Sequence, residues 1–191
     1  YYMDWNIDNT NKYFKPDTRW MSEKYDEMNA LLFNGSLGDC DFAIFTTGKG
    51  SQGRTLGFLK FQRKKVKVHQ YTRRMYVENN YYNIEINRTN FAELCQPQIA
   101  LNGNYTGTEY AFLNTLVHEM CHYYTYMNGI APVQAHGVEF RNIGSFICDK
   151  SYGFFKIQRL ASAEEMDNYI LSDEMKEKKL KREENKKSNI N

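Results

Sequence analysis

The chain has 191 residues, of which 41% are hydrophobic and 25% charged, and its net charge at pH 7 is +2. These values predict a soluble globular domain with enough apolar residues for a core, and so balanced a charge singles out no class of partner. No run of about 18 apolar residues is present to predict a spanning helix, and no N-terminal stretch joins basic residues to an apolar segment, so no secretory signal is expected.

Residues 1–16 are polar and aromatic without a clear period and are expected to form an arm. Asp17 or Thr18 can cap a helix running to about Phe33, with Trp20, Met21, Tyr25, Met28, Leu31 and Leu32 as its buried stripe. Asn34-Gly35 ends it, since glycine tolerates the left-handed conformation a helix C-terminus needs. Between residues 40 and 87 the pattern turns to strands, expected at 41–46, 56–61, 66–70 and 82–86, with a flexible turn at Gly48–Gly53. A further short strand is expected at 98–101. Thr106 and Glu109 fit a capping box, and Ala111, Phe112, Leu116 and Met120 recur at helical spacing behind it. Asn128-Gly129 closes this main helix. After a loop with Pro132, a second helix is predicted over 137–149, with Phe140, Ile143, Phe146 and Ile147 as its core face. Ser162 and Glu165 repeat the capping-box pattern. From Asp173 the chain is nearly all charged or polar, which predicts an exposed helix fraying into a disordered tail. The organisation expected is an arm at 1–16, one domain at 17–160, and a charged C-terminal helix and tail at 161–191.

His118-Glu119-Met120-Cys121-His122 is an HExxH motif. Residues four apart on a helix share one face, so two imidazoles at this spacing can bind one tetrahedral metal ion. Glu119 sits beside them. Metal-assisted hydrolysis needs this set: the ion lowers the pKa of water to about 7, and a carboxylate takes its proton. A third protein ligand is required. His136, at the start of the next helix, can fold back to supply it, and Glu139 is a carboxylate alternative three residues on. A structural zinc site is the lesser option, because such sites are usually closed by a fourth ligand, often cysteine. Cys121 lies inside the motif but about 100° per residue turns it away from both histidines, so it belongs to the core. Thr125 and Asn128 stand where a metzincin would carry glycine and a third histidine, which excludes that class.

The four cysteines, Cys40, Cys95, Cys121 and Cys148, form no CxxC pair, so no cysteine zinc ribbon is encoded. Reduced, mostly buried thiols in a cytoplasmic protein are expected. Lys60, Arg63, Lys64, Lys65, Lys67, Arg73 and Arg74 fall in one stretch without an acid, with Tyr71 and Tyr76 nearby. Arg63, Lys64, Lys65 and Lys67 are candidates for contact with single-stranded nucleic acid, though a solvated hairpin with Val66 and Val68 inward is the commoner meaning of such a run. A tyrosine can stabilise the oxyanion formed in peptide hydrolysis, and Tyr123, Tyr124 and Tyr126 are the candidates by sequence position.

From about Asn29 to Phe146 the sequence resembles the SprT-like (Spartan-related) zinc metallopeptidases. Thr115-Leu116-Val117-His118-Glu119-Met120-Cys121-His122 is similar to the family's TL-x-HE-x-x-H core, and His136-Gly137-Val138-Glu139-Phe140 to its HG-x-x-F. Leu32-Phe33-Asn34-Gly35-Ser36-Leu37, Thr55-Leu56-Gly57 and Gln98-Ile99-Ala100-Leu101-Asn102 are weaker matches to the opening turn and two strands. The resemblance implies an α+β, compact zincin-like fold: a small mixed sheet, an HExxH active helix, and a following helix carrying the third ligand. It implies Zn2+ held by His118, His122 and His136, and Glu119 as catalytic base. It also implies an extended peptide paired to an edge strand, here at Ile99, Ala100 and Leu101, and, for several members, protein substrates crosslinked to DNA. The alternative is a non-cleaving zinc scaffold that binds nucleic acid or a protein partner. A charged helix without cysteine pairs stands where many such proteins carry a zinc ribbon.

Overall fold

The computed structural model describes residues 4–48, 51, 53, 55–67, 82–86, 91–128 and 135–190. Helix α1 (Thr18–Leu32) starts at Asp17, whose carboxylate accepts the Trp20 N–H and satisfies an otherwise unpaired donor of the first turn. Met21, Tyr25, Met28 and Leu32 form the buried row. Leu31 falls off that row and is 41% exposed, so it does not join the stripe expected of it. Asn34 and Gly35 take positive φ (54° and 70°) and turn the chain away.

Four strands form the main sheet: β1 (Asp41–Phe45), β2 (Gly57–Lys67), β3 (Tyr82–Ile86) and β4 (Phe91–Asn102). The strands expected at 56–61 and 66–70 are joined in one, because β2 pairs antiparallel with β4 from Gly57 opposite Leu101 to Lys67 opposite Phe91. That long ladder overrides the polar composition at Gln62–Lys65; residues 68–70 of the expected second strand lie outside the described residues. β1 pairs parallel with the C-terminal part of β4, from Asp41 opposite Gln98 to Phe45 opposite Asn102. β3 pairs antiparallel with its N-terminal part, ending at Tyr82 opposite Cys95. Pro97 has no N–H to donate, and it sits in the gap that neither β1 nor β3 covers.

β4 is therefore the central strand. Ile99, Ala100 and Leu101 have β1 on one side and β2 on the other, and each is at most 1% exposed. The expectation that they pair with a substrate is overturned, because their backbone groups are already used on both edges. β1, β2 and β3 each pair with β4 alone among the described residues, so β2 is one of the strands that leave an outer edge open.

A second, two-stranded sheet joins β5 (Tyr105–Gly107) to β6 (Tyr169–Leu171). Residues 4–16 pack on the domain: Phe14 bridges Gly107 by two backbone bonds, and Trp5, 6% exposed, stacks on Phe154 at 5.2 Å. Helix α2 (Glu109–Met127) is capped by Thr108, whose side chain accepts the Ala111 N–H, and not by Thr106, which β5 occupies. Glu109 instead accepts from the Asp8 N–H and the Trp20 indole N–H, tying the N-terminal segment to α1. Leu113, Leu116, Val117, Met120 and Cys121 are fully buried between the sheet and the other helices. Helix α3 (Val138–Lys150) buries Phe140, Ile143 and Ile147, but Phe146 is 52% exposed. The short α4 (Ala163–Met166) has the predicted Ser162 cap, and α5 (Asp173–Ser188) stays helical to Ser188, with Met175 as its buried anchor. Cys40, Cys121 and Cys148 are free thiols. Among the described residues no helix is long and apolar enough to cross a membrane.

Candidate metal centre

Helix α2 presents His118 and His122 one turn apart, and the turn before α3 brings His136 against both. The Nε2 atom of His136 lies 3.2 Å from that of His118 and 3.1 Å from that of His122. Zinc–nitrogen bonds of 2.0–2.1 Å at tetrahedral angles would place two ligand nitrogens about 3.3 Å apart. The observed spacing fits such an ion. Among the described residues these three histidines form the group able to hold a metal; Glu139, the second residue of α3, is not part of it. Cys121 is fully buried on the opposite side, as its helical phase predicts.

Charge at the site favours metal ligation. Burial and the neighbouring imidazoles lower the His118 pKa to about 3; burial and His136 lower that of His122 to about 4. His136 is lowered too, by burial and by Arg159. At neutral pH all three rings are uncharged, and a neutral ring has one N–H and one lone pair. The Nε2 atom of His118 faces that of His136, and the Gln158 backbone opposes the lowering of the His118 pKa. Phe140, 1% exposed, lies beneath all three rings, stacked on His122 at 4.3 Å and 4.9 Å from both His118 and His136.

Glu119 is 6% exposed, and one carboxylate oxygen lies 4.0 Å from His118 Nε2. With His118 neutral this contact is no ion pair. Burial pushes the Glu119 pKa up to about 8, opposed by a hydrogen bond from the Leu59 backbone N–H. The Asn102 N–H donates to the Leu56 carbonyl, so strand alternation turns the Leu59 N–H to the outer edge of β2, the part of the strand that lines the metal site.

The site opens into a cleft of about 630 Å3. One face of α2, from Tyr110 to Tyr126, is the floor. Thr55 to Phe61 form one wall and Lys156 to Ala161 the other. Of the three tyrosines picked out by sequence position, Tyr123 is fully buried with its hydroxyl on the Asp39 carbonyl, and Tyr124 packs on Phe33. Tyr126 lines the cleft, stacked on Phe61 at 4.0 Å. Two other tyrosines line it as well. Tyr110 was legible in principle, two helical turns before His118 on the same face. Tyr169 was not, because it arrives from β6, where its hydroxyl bonds Thr115 and the Ala111 carbonyl. The backbones of Arg63, Lys64, Lys65 and Lys67 lie in the second half of β2, opposite Cys95, Leu94, Glu93 and Phe91.

A family model described as the SprT-like family matches residues 21–159, well over half of the chain and inclusive of every histidine of the site. No curated protein sequence matches the chain.

Proposed function

The chain belongs to the SprT-like family, and from that membership and the site geometry we propose that it is a zinc-dependent endopeptidase that hydrolyses protein substrates. The observation that carries this is the triangle of three Nε2 atoms, 3.1 and 3.2 Å along two of its sides, with a buried carboxylate 4.0 Å away at the mouth of an open cleft. Three neutral imidazoles suit zinc, and three protein ligands leave one position for catalysis. Bound there, zinc would supply a Lewis acid for the scissile carbonyl and lower the pKa of water to about 7.

The chain's own residues do the rest. Glu119 takes the proton of the attacking water and returns it to the departing amine, a role that asks for a carboxyl pKa near the working pH, as burial provides. Phe140 packs against all three imidazoles and holds them in place. The substrate is an extended peptide running along the outer edge of β2 from Thr55 to Phe61, where backbone pairing carries it over Glu119. Tyr126 is the candidate of the original three that can reach a developing oxyanion. Proteins bound or crosslinked to DNA are the narrower substrate class proposed, with Arg63, Lys64, Lys65 and Lys67 meeting single-stranded DNA and the cytoplasm as the site of action.

The test is proteolysis of a loosely folded basic protein by the zinc-loaded chain, with and without single-stranded DNA, beside Glu119→Gln. Cleavage that needs Glu119 is expected. Stimulation by DNA supports the narrower class, and indifference to DNA removes it. A Glu119→Gln variant with full activity would sink the mechanism; no cleavage under any condition favours the non-cleaving scaffold.

A further inference from the structure

The family match ends at residue 159, but the wall of the cleft does not. Leu160, Glu165, Asn168 and Tyr169 continue it, the last three carried by α4, β6 and the turn between them. Three contacts fix where this segment sits. The Asn168 carbonyl accepts the Thr108 N–H at 3.3 Å, Gly107 pairs with Tyr169 in the small sheet, and Glu165 accepts from the Gln158 side-chain amide. The segment therefore closes the cleft at the N-terminal end of α2, on the side of His118 away from His122.

Tyr169 is the fixed part of that end. Its ring meets Phe112 edge-on at 5.3 Å and Tyr105 at 6.0 Å, and its hydroxyl lies 2.7 Å from both the Thr115 hydroxyl and the Ala111 carbonyl. The neighbouring polar groups are spent in the same way. The Tyr110 hydroxyl donates to the Phe154 carbonyl, and the Asn114 amide both donates to the Lys156 carbonyl and accepts its N–H. Groups bonded to one another within the wall have little left to offer a ligand, so what they present to the cleft is ring and aliphatic surface. Leu160 adds to that surface at the mouth, where it is 69% exposed. Lys156 and Arg159 line the cleft as well, but both are exposed to water.

We propose that this closed end is a subsite for one apolar side chain of the substrate, with Tyr169 and Leu160 as its specificity-determining residues. Asn114 and Thr115 lie one helical turn before His118 and Glu119, about 6 Å along the axis. That places the subsite within reach of a leucine or phenylalanine side chain on a residue flanking the scissile bond. Such a side chain removes apolar surface from water on both partners, whereas a charged one pressed against the rings of Tyr110 and Tyr169 loses its hydration. The cleavage preference rests on the peptidase function proposed above; the apolar pocket does not.

The experiment has two arms, both on the full chain. In the first, the zinc-loaded protein digests a mixture of unfolded proteins and mass spectrometry maps the cuts. Leu, Met, Phe or Tyr is expected to be enriched at one fixed position beside the cut. Leu160→Asp is expected to lower that enrichment about tenfold, and Tyr169→Leu to shift it toward the larger aromatic residues. Cuts without a preferred position, a preference for acidic residues drawn by Lys156 and Arg159, or an apolar preference that Leu160→Asp leaves in place would overturn the proposal. Leu160 is exposed, so its variant decides alone should Tyr169→Leu not fold. The second arm needs no turnover: N-acetyl-leucine methylamide and its aspartic acid counterpart are titrated against the labelled protein by NMR. Shifts at Tyr110, Thr115 and Tyr169 are expected from the leucine probe alone and should weaken in Leu160→Asp. A protein that cuts nothing defeats the peptidase and leaves these shifts to decide the pocket; their absence, or an equal response to the aspartic acid probe, overturns it.

Discussion

Replacing Glu119 by Gln in the zinc-free protein is expected to make it more stable while removing its activity when zinc is restored. Burial lifts the Glu119 carboxyl from 4.5 to about 8, so the folded state holds this proton more tightly than the unfolded chain does. Unfolding between those two values therefore releases a proton, and stability falls as pH rises, by about 1.4 kcal/mol per pH unit. At pH 7 the accumulated cost is about 3 kcal/mol, and below pH 4.5 it vanishes. Glutamine has the shape of the protonated acid, can still accept the Leu59 N–H, and does not ionise. Urea denaturation of both zinc-free proteins is the assay. The advantage of the variant should be under about 1 kcal/mol at pH 5 and grow to about 3 kcal/mol at pH 7. An advantage that does not change with pH, or a variant less stable than the wild type at pH 7, would refute the reasoning.

Other expectations concern the ligands and the cleft. His136→Ala should lower zinc affinity by more than about 100-fold, beyond the usual loss for an outer partner, as measured by chelator competition; an unchanged zinc content would move the third ligand elsewhere. The zinc-free protein should also lose stability in acid: His118 and His122 titrate near 3 and 4 when folded and near 6.5 when unfolded, so the unfolded chain binds more protons between those values. Denaturation midpoints should drop as pH falls below about 6.5, and His118→Gln should reduce the slope. Leu59→Pro removes the N–H that bonds Glu119 at the edge of β2, a position where proline's missing donor costs no sheet pairing if that edge is open. It should slow peptide cleavage with zinc affinity retained, and cleavage at the wild-type rate would argue against substrate pairing along this edge.

Local order determined much of the site. Two histidines four residues apart on a helix face one way whatever surrounds them, so His118, His122 and the neighbouring Glu119 were legible from spacing and helical phase, as was the core position of Cys121. The Asp17 and Ser162 caps were legible for the same reason, since a cap depends on atoms within three residues. Choosing His136 over Glu139 needed the family pattern, because both residues lie near the start of α3 and only the path of the chain between the helices separates them. What depends on pairing between distant segments was decided by the tertiary structure. Strand composition does not say which strand ends at an edge, so Ile99, Ala100 and Leu101 were placed beside a substrate when β1 and β2 enclose them and β2 is the edge strand that lines the cleft. The cap moved from Thr106 to Thr108 because β6, whose Ile170 lies 64 residues on and pairs with Thr106, draws it into a sheet. Asn114 and Tyr169 gain their places only through contacts between segments 42 to 58 residues apart. The sequence by itself determines which groups can do the chemistry, because short-range geometry is fixed by the helix; which groups hold them still is a property of long-range packing, and only the fold decides it.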